Sequence, residues 1–187
     1  MKHYDMLKRI LRYISGTKTY GITYRRLYTR QAPLIGYSDA AHANQDERKS
    51  TSGIIFTSAG GAVLWKSKKQ TLSAQSSTEA EYIAIAQAGC KARWFRNLYT
   101  ELGFPIADPI PIMCDNWGMI SMTQNAHSTQ RSRHIDLKWH IIKQIIAKKL
   151  VTIIACHDED QTADILTKPI PRPKHKKHTG KMGLAPA

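Results

Sequence analysis

Four acidic residues of this chain stand at the ends of strand-like segments or on helices that adjoin them. They are Asp39, Glu81, Asp115 and Asp164. Carboxylates held close together repel one another and raise one another's pKa unless a divalent cation neutralises them. Oxygen ligands without a histidine or cysteine partner suit Mg²⁺ or Mn²⁺ rather than zinc. Two such ions about 4 Å apart would activate a water and stabilise the leaving oxygen in phosphodiester cleavage.

Each of these acids also has a purely structural interpretation. Asp115 could cap the N-terminus of the helix that follows it, and Asp39 or Asp164 could be an ordinary exposed carboxylate. Spacing alone leaves both interpretations open.

Glu81 and Glu79 open the longest helical pattern, which runs from about residue 77 to 102. Its apolar residues recur at steps of three and four; they are Ala84, Ala88, Ala92, Phe95, Tyr99 and Leu102. Glu81 continues this stripe, where a carboxylate is costly unless it meets a cation, hydrogen bonds or a metal. Glu79 lies roughly 160° away around the axis, three residues after Ser76, as a capping box requires. The alternative is a capping box of Thr78 and Glu81, with Glu81 half solvated.

The hydrophobic pattern predicts the elements that must position these acids. Strands are expected near 34–39, 53–57, 62–67, 110–114 and 150–156, the second and third joined at Gly60-Gly61. Helices are expected at 77–102, 116–124, 134–149 and 161–168. This order predicts an α/β fold: a mixed five-stranded sheet, with three antiparallel strands and then parallel crossovers, and helices on its faces. Asp39 and Asp115 each follow an apolar strand.

The chain divides into three regions by composition. Residues 31–168 are expected to form the globular domain. Residues 1–30 contain a helix and a short strand that read either as the remnant of a preceding domain or as a helix packing on this one. Residues 169–187, rich in Pro, Gly, Lys and His, are expected to be a basic, disordered tail.

The formal net charge of +14 indicates a polyanionic partner. Most of the excess lies in the two flanking regions, so the bases clustered inside the central domain are more informative than the total. The three cysteines, Cys90, Cys114 and Cys156, form no C-x-x-C pair and predict buried thiols in a reducing compartment. No signal peptide or membrane-length apolar run is visible, which predicts an intracellular protein without a membrane partner, in cytoplasm or nucleus.

A series of motifs, in conserved order along the chain, resembles the ribonuclease H domain of copia-type retrotransposon Pol polyproteins. The motifs are Tyr37-Ser38-Asp39-Ala40, Arg48-Lys49-Ser50-Thr51-Ser52-Gly53, Gly60-Gly61-Ala62-Val63 with Trp65-Lys66-Ser67-Lys68-Lys69-Gln70, Ser76 to Tyr82, Cys114-Asp115-Asn116, Arg133-His134-Ile135-Asp136 and Ala163-Asp164-Ile165-Leu166-Thr167-Lys168. The resemblance runs from about residue 33 to 184. Residues 6–24 resemble the end of the reverse transcriptase region that precedes this domain in such polyproteins.

The resemblance implies a ribonuclease H-like fold and a catalytic Asp-Glu-Asp-Asp set, which falls on Asp39, Glu81, Asp115 and Asp164. It implies endonucleolytic cleavage of the RNA strand of an RNA·DNA hybrid with two Mg²⁺ ions, for which Mn²⁺ can substitute. It also implies a reverse transcriptase domain as a partner in cis or in trans.

Further residues are candidates for contacting the hybrid. Thr78 and Asn116 are candidates for reading the 2′-hydroxyl group that distinguishes RNA. Candidates for gripping phosphates, against the alternative of a solvated basic face, are Lys66, Lys68, Lys69, Arg131, Arg133 and His134.

The chain departs from the copia pattern at two places. After Tyr37-Ser38-Asp39-Ala40 the pattern usually continues Asp-Trp-Ala-Gly, whereas this chain has Ala41-His42-Ala43-Asn44, so a second acid is missing. His157 stands where such domains usually have proline, which makes it a weak candidate for a catalytic helper. The departure at Ala41 favours the alternative that the chain is a catalytically silent remnant that binds nucleic acid or another protein, whereas the four intact acids count against it. Integrase-like strand transfer is a weaker alternative, because such enzymes lack the acid on the long helix.

Overall fold

The centre of the fold is a sheet flanked by helices, in a computed structural model that describes residues 2–25, 34–42, 49–71, 73–124 and 136–186. The helices are α1 (Lys2–Gly16), α2 (Ser77–Glu101), α3 (Trp117–Gln124), α4 (Asp136–Ala147) and α5 (Arg172–Lys181). The strands are β1 (Tyr20–Ile22), β2 (Ile35–Ala41), β3 (Thr51–Ser58), β4 (Gly61–Lys69), β5 (Ile110–Cys114), β6 (Val151–Ala155) and β7 (Leu184–Pro186). Two short 3₁₀ turns, Asp158–Asp160 and Thr162–Leu166, follow β6.

The main sheet has five strands in the order β4-β3-β2-β5-β6. The β4-β3 and β3-β2 pairs are antiparallel, whereas β2-β5 and β5-β6 are parallel. The predicted mixed sheet is therefore confirmed, as is the α/β class. Because β2 and β5 are parallel neighbours, their carboxyl ends meet at the same edge of the sheet.

The hairpin between β3 and β4 turns one residue earlier than the sequence predicts. Ser58 pairs with Gly61, so the turn residues are Ala59 and Gly60, with φ angles of 52° and 79°. Two successive positive φ values are typical of the tight two-residue turns whose twist matches that of the flanking strands. Gly60 adopts this conformation without the steric cost that Ala59 bears.

Helix α2 packs along the sheet through a face of small residues. Ala80, Ala84, Ala88 and Ala92 are all fully buried. On the same helix Gly89 lies so close to α4 that an added Cβ would meet Ile142 at 2.8 Å. Small side chains let the helix backbone approach its neighbours, and this close packing fixes the rotation of α2 about its axis.

The C-terminal region differs from the sequence expectation of a disordered tail. Residues 172–181 form helix α5, and β7 pairs antiparallel with β1. Composition missed this because α5 has almost no apolar periodicity; its lysines instead face aspartates of the two 3₁₀ turns. The C-terminal strand thus joins the N-terminal region in a small second sheet.

Among the helices of the described ranges, none combines the length and the apolar character that crossing a membrane requires.

Candidate active site

Asp39 and Asp115 come from neighbouring parallel strands. Asp39 lies near the end of β2 and is 3% exposed, whereas Asp115 follows β5 directly and is half-buried. Asp115 does not cap α3, because the amide of Met119 donates instead to Asn116 Oδ1 at 3.0 Å. The side chain of Asp115 is therefore free of the capping role that the sequence left open.

The two glutamates of α2 occupy the different environments that the helical pattern predicts. Ser76 is the N-cap and accepts a hydrogen bond from the Glu79 amide, while Glu79 Oε2 accepts one from the Gln75 amide at 2.7 Å. Glu81 is 6% exposed and receives a backbone hydrogen bond from Ala40 of β2. The alternative capping box of Thr78 and Glu81 is therefore wrong.

Asp164 reaches the same place from the second 3₁₀ turn, and Gln161 holds that turn against the sheet. Both side chains are fully buried. The Gln161 carboxamide donates to Ser38 O at 2.9 Å and to Met113 O at 3.5 Å, and its Oε1 accepts from the Ala163 amide. One glutamine thus ties the turn carrying Asp164 to β2 and to β5.

These elements bring the carboxylates together. Asp39, Asp115 and Asp164 each offer an oxygen within 4.8 Å of the others, and Glu81, Cys114 and Asp115 form a second such group. Asp115 belongs to both groups. Buried Glu81 Oε2 has no hydrogen-bond partner among the described residues, so a ligand that accepts its lone pairs fits this site. Oxygen-rich groups of this kind suit Mg²⁺ or Mn²⁺.

Burial and mutual repulsion oppose ionisation of Glu81, Asp39 and Asp115. Desolvation, followed by the charge of Asp39, raises the pKa of Glu81 to about 9. Desolvation also raises the pKa of Asp39, although a hydrogen bond from Thr167 opposes the shift. The pKa of Asp115 is raised first by desolvation and then by Asp39. Such a cluster is stabilised by a bound cation.

Cys114 is a poor ligand despite its position. Its side chain is fully buried, and desolvation raises the pKa of the thiol far above its ordinary value. A protonated sulfur is a weak partner for a hard cation, so the oxygen ligands remain the relevant ones. The other two cysteines, Cys90 and Cys156, are free and half-buried.

Three residues around the carboxylates were not assigned a site role by the sequence analysis. Thr167 donates a hydrogen bond from Oγ1 to Asp39 Oδ2. Lys168 Nζ lies 3.0 Å from Asp164 Oδ1, and Lys174 Nζ lies 2.7 Å from Asp164 Oδ2. The spacing of four residues between Asp164 and Lys168 could have indicated their contact from the sequence. Lys174 could not be identified in this way, because it lies in the region that was expected to be disordered.

The two candidates for reading a 2′-hydroxyl lie beside the same glycine. A Cβ built on Gly118 would be 3.3 Å from Asn116 Oδ1 and 3.9 Å from Thr78 Oγ1. Thr78 lies in the first turn of α2, one turn before Glu81, and Asn116 directly follows Asp115. The structure therefore brings Thr78 and Asn116 to the rim of the carboxylate cluster.

The predicted phosphate-gripping residues are placed differently. Lys66, Lys68 and Lys69 line a groove of about 330 Å³ between β4 and α2, together with Lys91. By strand register, Asp39 pairs with Gly53 and Gly53 with Ser67, so the groove lies level with Asp39 but two strands away, roughly 10 Å. Arg131, Arg133 and His134 lie outside the described residues, and their assignment stays a prediction.

His157 and Ala41 mark the two departures from the copia pattern. His157 is exposed and immediately precedes the turn Asp158–Asp160. Ala41 is the half-buried last residue of β2. A catalytic role for His157 stays a prediction.

Comparisons with known proteins connect this geometry to a family. No family model matches the chain. The chain is 36% identical over 183 residues to the retrovirus-related Pol polyprotein from transposon RE2 of Arabidopsis thaliana, covering 97% of the chain and 12% of that relative. It thus spans about an eighth of the length of such relatives.

Solved structures resemble the fold at low sequence identity. LC11-RNase H1, isolated from compost by a metagenomic approach, has a TM-score of 0.56 at 16% identity, over 73% of this chain and 94% of that one. The same enzyme in complex with an RNA/DNA hybrid has a TM-score of 0.55 at 16% identity, over 72% and 93%. The Prototype Foamy Virus protease-reverse transcriptase has a TM-score of 0.50 at 16% identity, over 78% and 22%.

The suspected relationship is confirmed at both levels, sequence and fold. The chain therefore belongs with the retrovirus-related Pol polyproteins of transposons, of which it matches one segment, and that segment has the ribonuclease H-like fold.

Proposed function

We propose that this chain hydrolyses the RNA strand of an RNA·DNA hybrid, as the ribonuclease H of a retrotransposon. The observation that carries the proposal is the meeting of carboxylate oxygens from Asp39, Asp115 and Asp164 within 4.8 Å. The similarity to LC11-RNase H1, which has been solved with an RNA/DNA hybrid, supports the choice of substrate.

Asp39, Glu81, Asp115 and Asp164 would hold divalent ions, with Mg²⁺ the natural choice and Mn²⁺ a substitute. Two ions bound there would supply an activated water and charge stabilisation at the leaving oxygen. The chain's own contribution is orientation: the Thr167 hydroxyl fixes Asp39, and the Ala40 amide fixes Glu81. Asp115 offers an oxygen to both groups of candidate ligands and would be one of the residues that hold the ions.

Thr78 and Asn116 would select the RNA strand. Asn116 Oδ1 accepts the Met119 amide, and the Asn116 Nδ2 group can donate to a 2′-hydroxyl or a phosphate. The Thr78 hydroxyl can donate or accept. Because both lie beside the cluster, a ribose bound there would have its phosphodiester next to the carboxylates.

Lys66, Lys68 and Lys69 would hold backbone phosphates at a distance from the reacting bond. Their groove lies roughly two strand spacings from Asp39, which suits a contact to a neighbouring part of the duplex rather than to the cleaved phosphate. Such contacts add affinity that falls with salt and carry no sequence information.

A reverse transcriptase domain is the proposed partner. The transposon relatives are Pol polyproteins many times longer than this chain, and a protease-reverse transcriptase chain shares the fold over part of its length. In that arrangement the polymerase would produce the hybrid on which this segment acts.

The test is cleavage of a hybrid labelled separately on its RNA and DNA strands, in Mg²⁺ and in Mn²⁺. We expect the RNA strand alone to be cut, and Asp39→Asn, which keeps the shape of the side chain but loses its charge, to lower the rate at least 100-fold. Double-stranded DNA serves as the control substrate. A folded protein that binds the hybrid and leaves both strands intact would contradict the proposal and favour the silent remnant.

A further inference from the structure

Helix α5 lies against the two 3₁₀ turns through a row of lysines. Lys177 Nζ and Lys181 Nζ lie 3.1 Å and 2.8 Å from Asp160 Oδ1. One turn earlier, Lys174 Nζ lies 2.7 Å from both Asp158 Oδ2 and Asp164 Oδ2. These lysines recur at steps of three and four, so they share one face of the helix.

Only one of these contacts reaches a proposed catalytic carboxylate. Asp158 and Asp160 are 66% and 47% exposed, and ion pairs there stabilise the fold little. Asp164 is completely buried, and Lys174 is only 20% exposed. A charged hydrogen bond in such surroundings fixes geometry strongly.

The contact closes a ring of four charged groups. Lys168 faces Asp164 Oδ1 at 3.0 Å and Asp158 Oδ1 at 3.5 Å, while Lys174 occupies the Oδ2 atoms of both aspartates. Lys168 also acts on the carboxylate cluster: desolvation raises the pKa of Asp39 and of Asp115, and the charge of Lys168 partly opposes this rise. Lys174 thus contacts Oδ2 of Asp164, and Lys168 lies beside Oδ1 of the same carboxylate.

The rest of the C-terminal region holds α5 in place. His178 is fully buried on α5. After the helix, the Ala62 amide donates to Met182 O and the Thr23 amide donates to Gly183 O, both at 2.9 Å. Gly183 has a φ of 75° and leaves no room for a Cβ, which would meet Gly60 O and Thr23 O at 2.7 Å. These contacts tether the C-terminal end of α5, the helix that carries Lys174.

We propose that Lys174 is a positioning residue, which holds the Asp164 carboxylate in the orientation that binds a divalent ion. The terminal torsion of an aspartate is broad and roughly two-fold, so an unrestrained Asp164 would present its oxygens to the cluster only part of the time. Lys174, which is not itself a metal ligand, restricts this torsion by its contact with Asp164 Oδ2. This inference deepens the proposed function and rests on it for the role of Asp164.

The experiment measures Mn²⁺ binding to the complete chain by titration calorimetry, without nucleic acid, for the wild type and three variants. Lys174→Met is expected to weaken binding by about 10- to 100-fold, the usual loss when an outer partner of a metal ligand is removed. Lys174→Arg, which keeps the charge and the donors, is expected to stay within about 3-fold of the wild type. Lys177→Met removes a charge from the same helix but contacts Asp160, and is expected to bind Mn²⁺ like the wild type.

The direction in which Lys174→Met changes the Mn²⁺ affinity distinguishes a positioning role of Lys174 from a purely electrostatic one. Removing a cation beside a metal site strengthens metal binding if its charge is all that matters, so tighter or unchanged binding overturns the proposal. Equal losses in Lys174→Met and Lys177→Met would overturn it too. If Lys174→Met does not fold, Lys174→Gln, which keeps a donor without the charge, gives the same comparison, and again only weaker binding supports positioning.

Hybrid cleavage measured on the same samples separates this inference from the proposed function. A wild type that binds Mn²⁺ but does not cleave would refute the function and leave the Lys174 result interpretable. A wild type that binds no Mn²⁺ would overturn both.

Discussion

Glu79 and Glu81 lie two residues apart on one helix and have opposite surroundings. Glu79 accepts the Gln75 amide at the start of α2, whereas Glu81 is buried against β2 with one oxygen unpartnered among the described residues. A helix turns about 100° per residue, so two residues suffice to carry one side chain from the rim to the interior. Burying a carboxylate is unfavourable unless it has a partner, so the position of Glu81 indicates that it binds a ligand.

The raised pKa of Glu81 makes a prediction about stability. Its pKa rises on folding from the ordinary glutamate range to about 9, so between these values the folded state holds more protons than the unfolded state. The free energy of unfolding of the metal-free protein must therefore fall as pH rises through this window. Glu81→Gln removes the titrating group and with it this loss. We therefore expect the free energy of unfolding of the variant to exceed that of the wild type by about 1 to 3 kcal/mol at pH 8.

Urea unfolding with a chelator present, at about pH 5 and pH 8, measures this difference. Glu79→Gln is the matched control, because Glu79 is a partly exposed capping residue. Parallel pH dependences in the wild type and Glu81→Gln would show that Glu81 is not held protonated in the folded state.

At the scale of elements, the site is assembled from pieces that are distant in sequence. Strand β2 brings Asp39, the end of β5 brings Asp115, the first turns of α2 bring Glu81, and a 3₁₀ turn brings Asp164. Gln161 is the side chain that ties the last of these pieces to the first two. Its hydrogen bond to Ser38 O is buried and the one to Met113 O is part-buried, so their loss removes a partner from each backbone carbonyl.

Gln161→Leu keeps the approximate volume but removes these hydrogen bonds. We expect the free energy of unfolding to fall by about 1 to 3 kcal/mol, and Mn²⁺ affinity to fall with it because the Asp164 turn loosens from the sheet. Gln144→Leu, the same change at an exposed glutamine of α4, serves as control in urea unfolding and calorimetry. An equal stability loss in both variants, with Mn²⁺ affinity intact, would deny Gln161 this role.

The sequence could predict the elements whose signals are local. Alternation and turn residues located β2, β3 and β4, and the spacing from Ala84 to Leu102 located α2 and selected Glu81 over Glu79. Helix α5 could not be predicted in this way, since its lysines contact aspartates up to 21 residues earlier in the chain. Gln161 was missed for a similar reason: its partners lie 123 and 48 residues earlier in the chain.

Two sheets organise the whole molecule. The five-stranded sheet positions the carboxylates, and the pairing of β7 with β1 closes the C-terminal region onto the N-terminal one. Helix α5 connects these two places, since Lys174 contacts Asp164 and β7 follows the helix directly. The described residues thus include both the candidate site and the contacts that support it.

We propose that the buried carboxylate cluster, and not merely acidic residues near it, cleaves the RNA strand. The most direct measurement is the Mg²⁺-dependent cleavage rate of a labelled RNA·DNA hybrid by the wild type, Glu81→Gln and Glu79→Gln. We expect Glu81→Gln to lose at least 100-fold in rate and Glu79→Gln to cleave at close to the wild-type rate, with a small loss of helix stability of about 1 kcal/mol. Cleavage that survives in Glu81→Gln and disappears in Glu79→Gln would refute the assignment of Glu81 to the site.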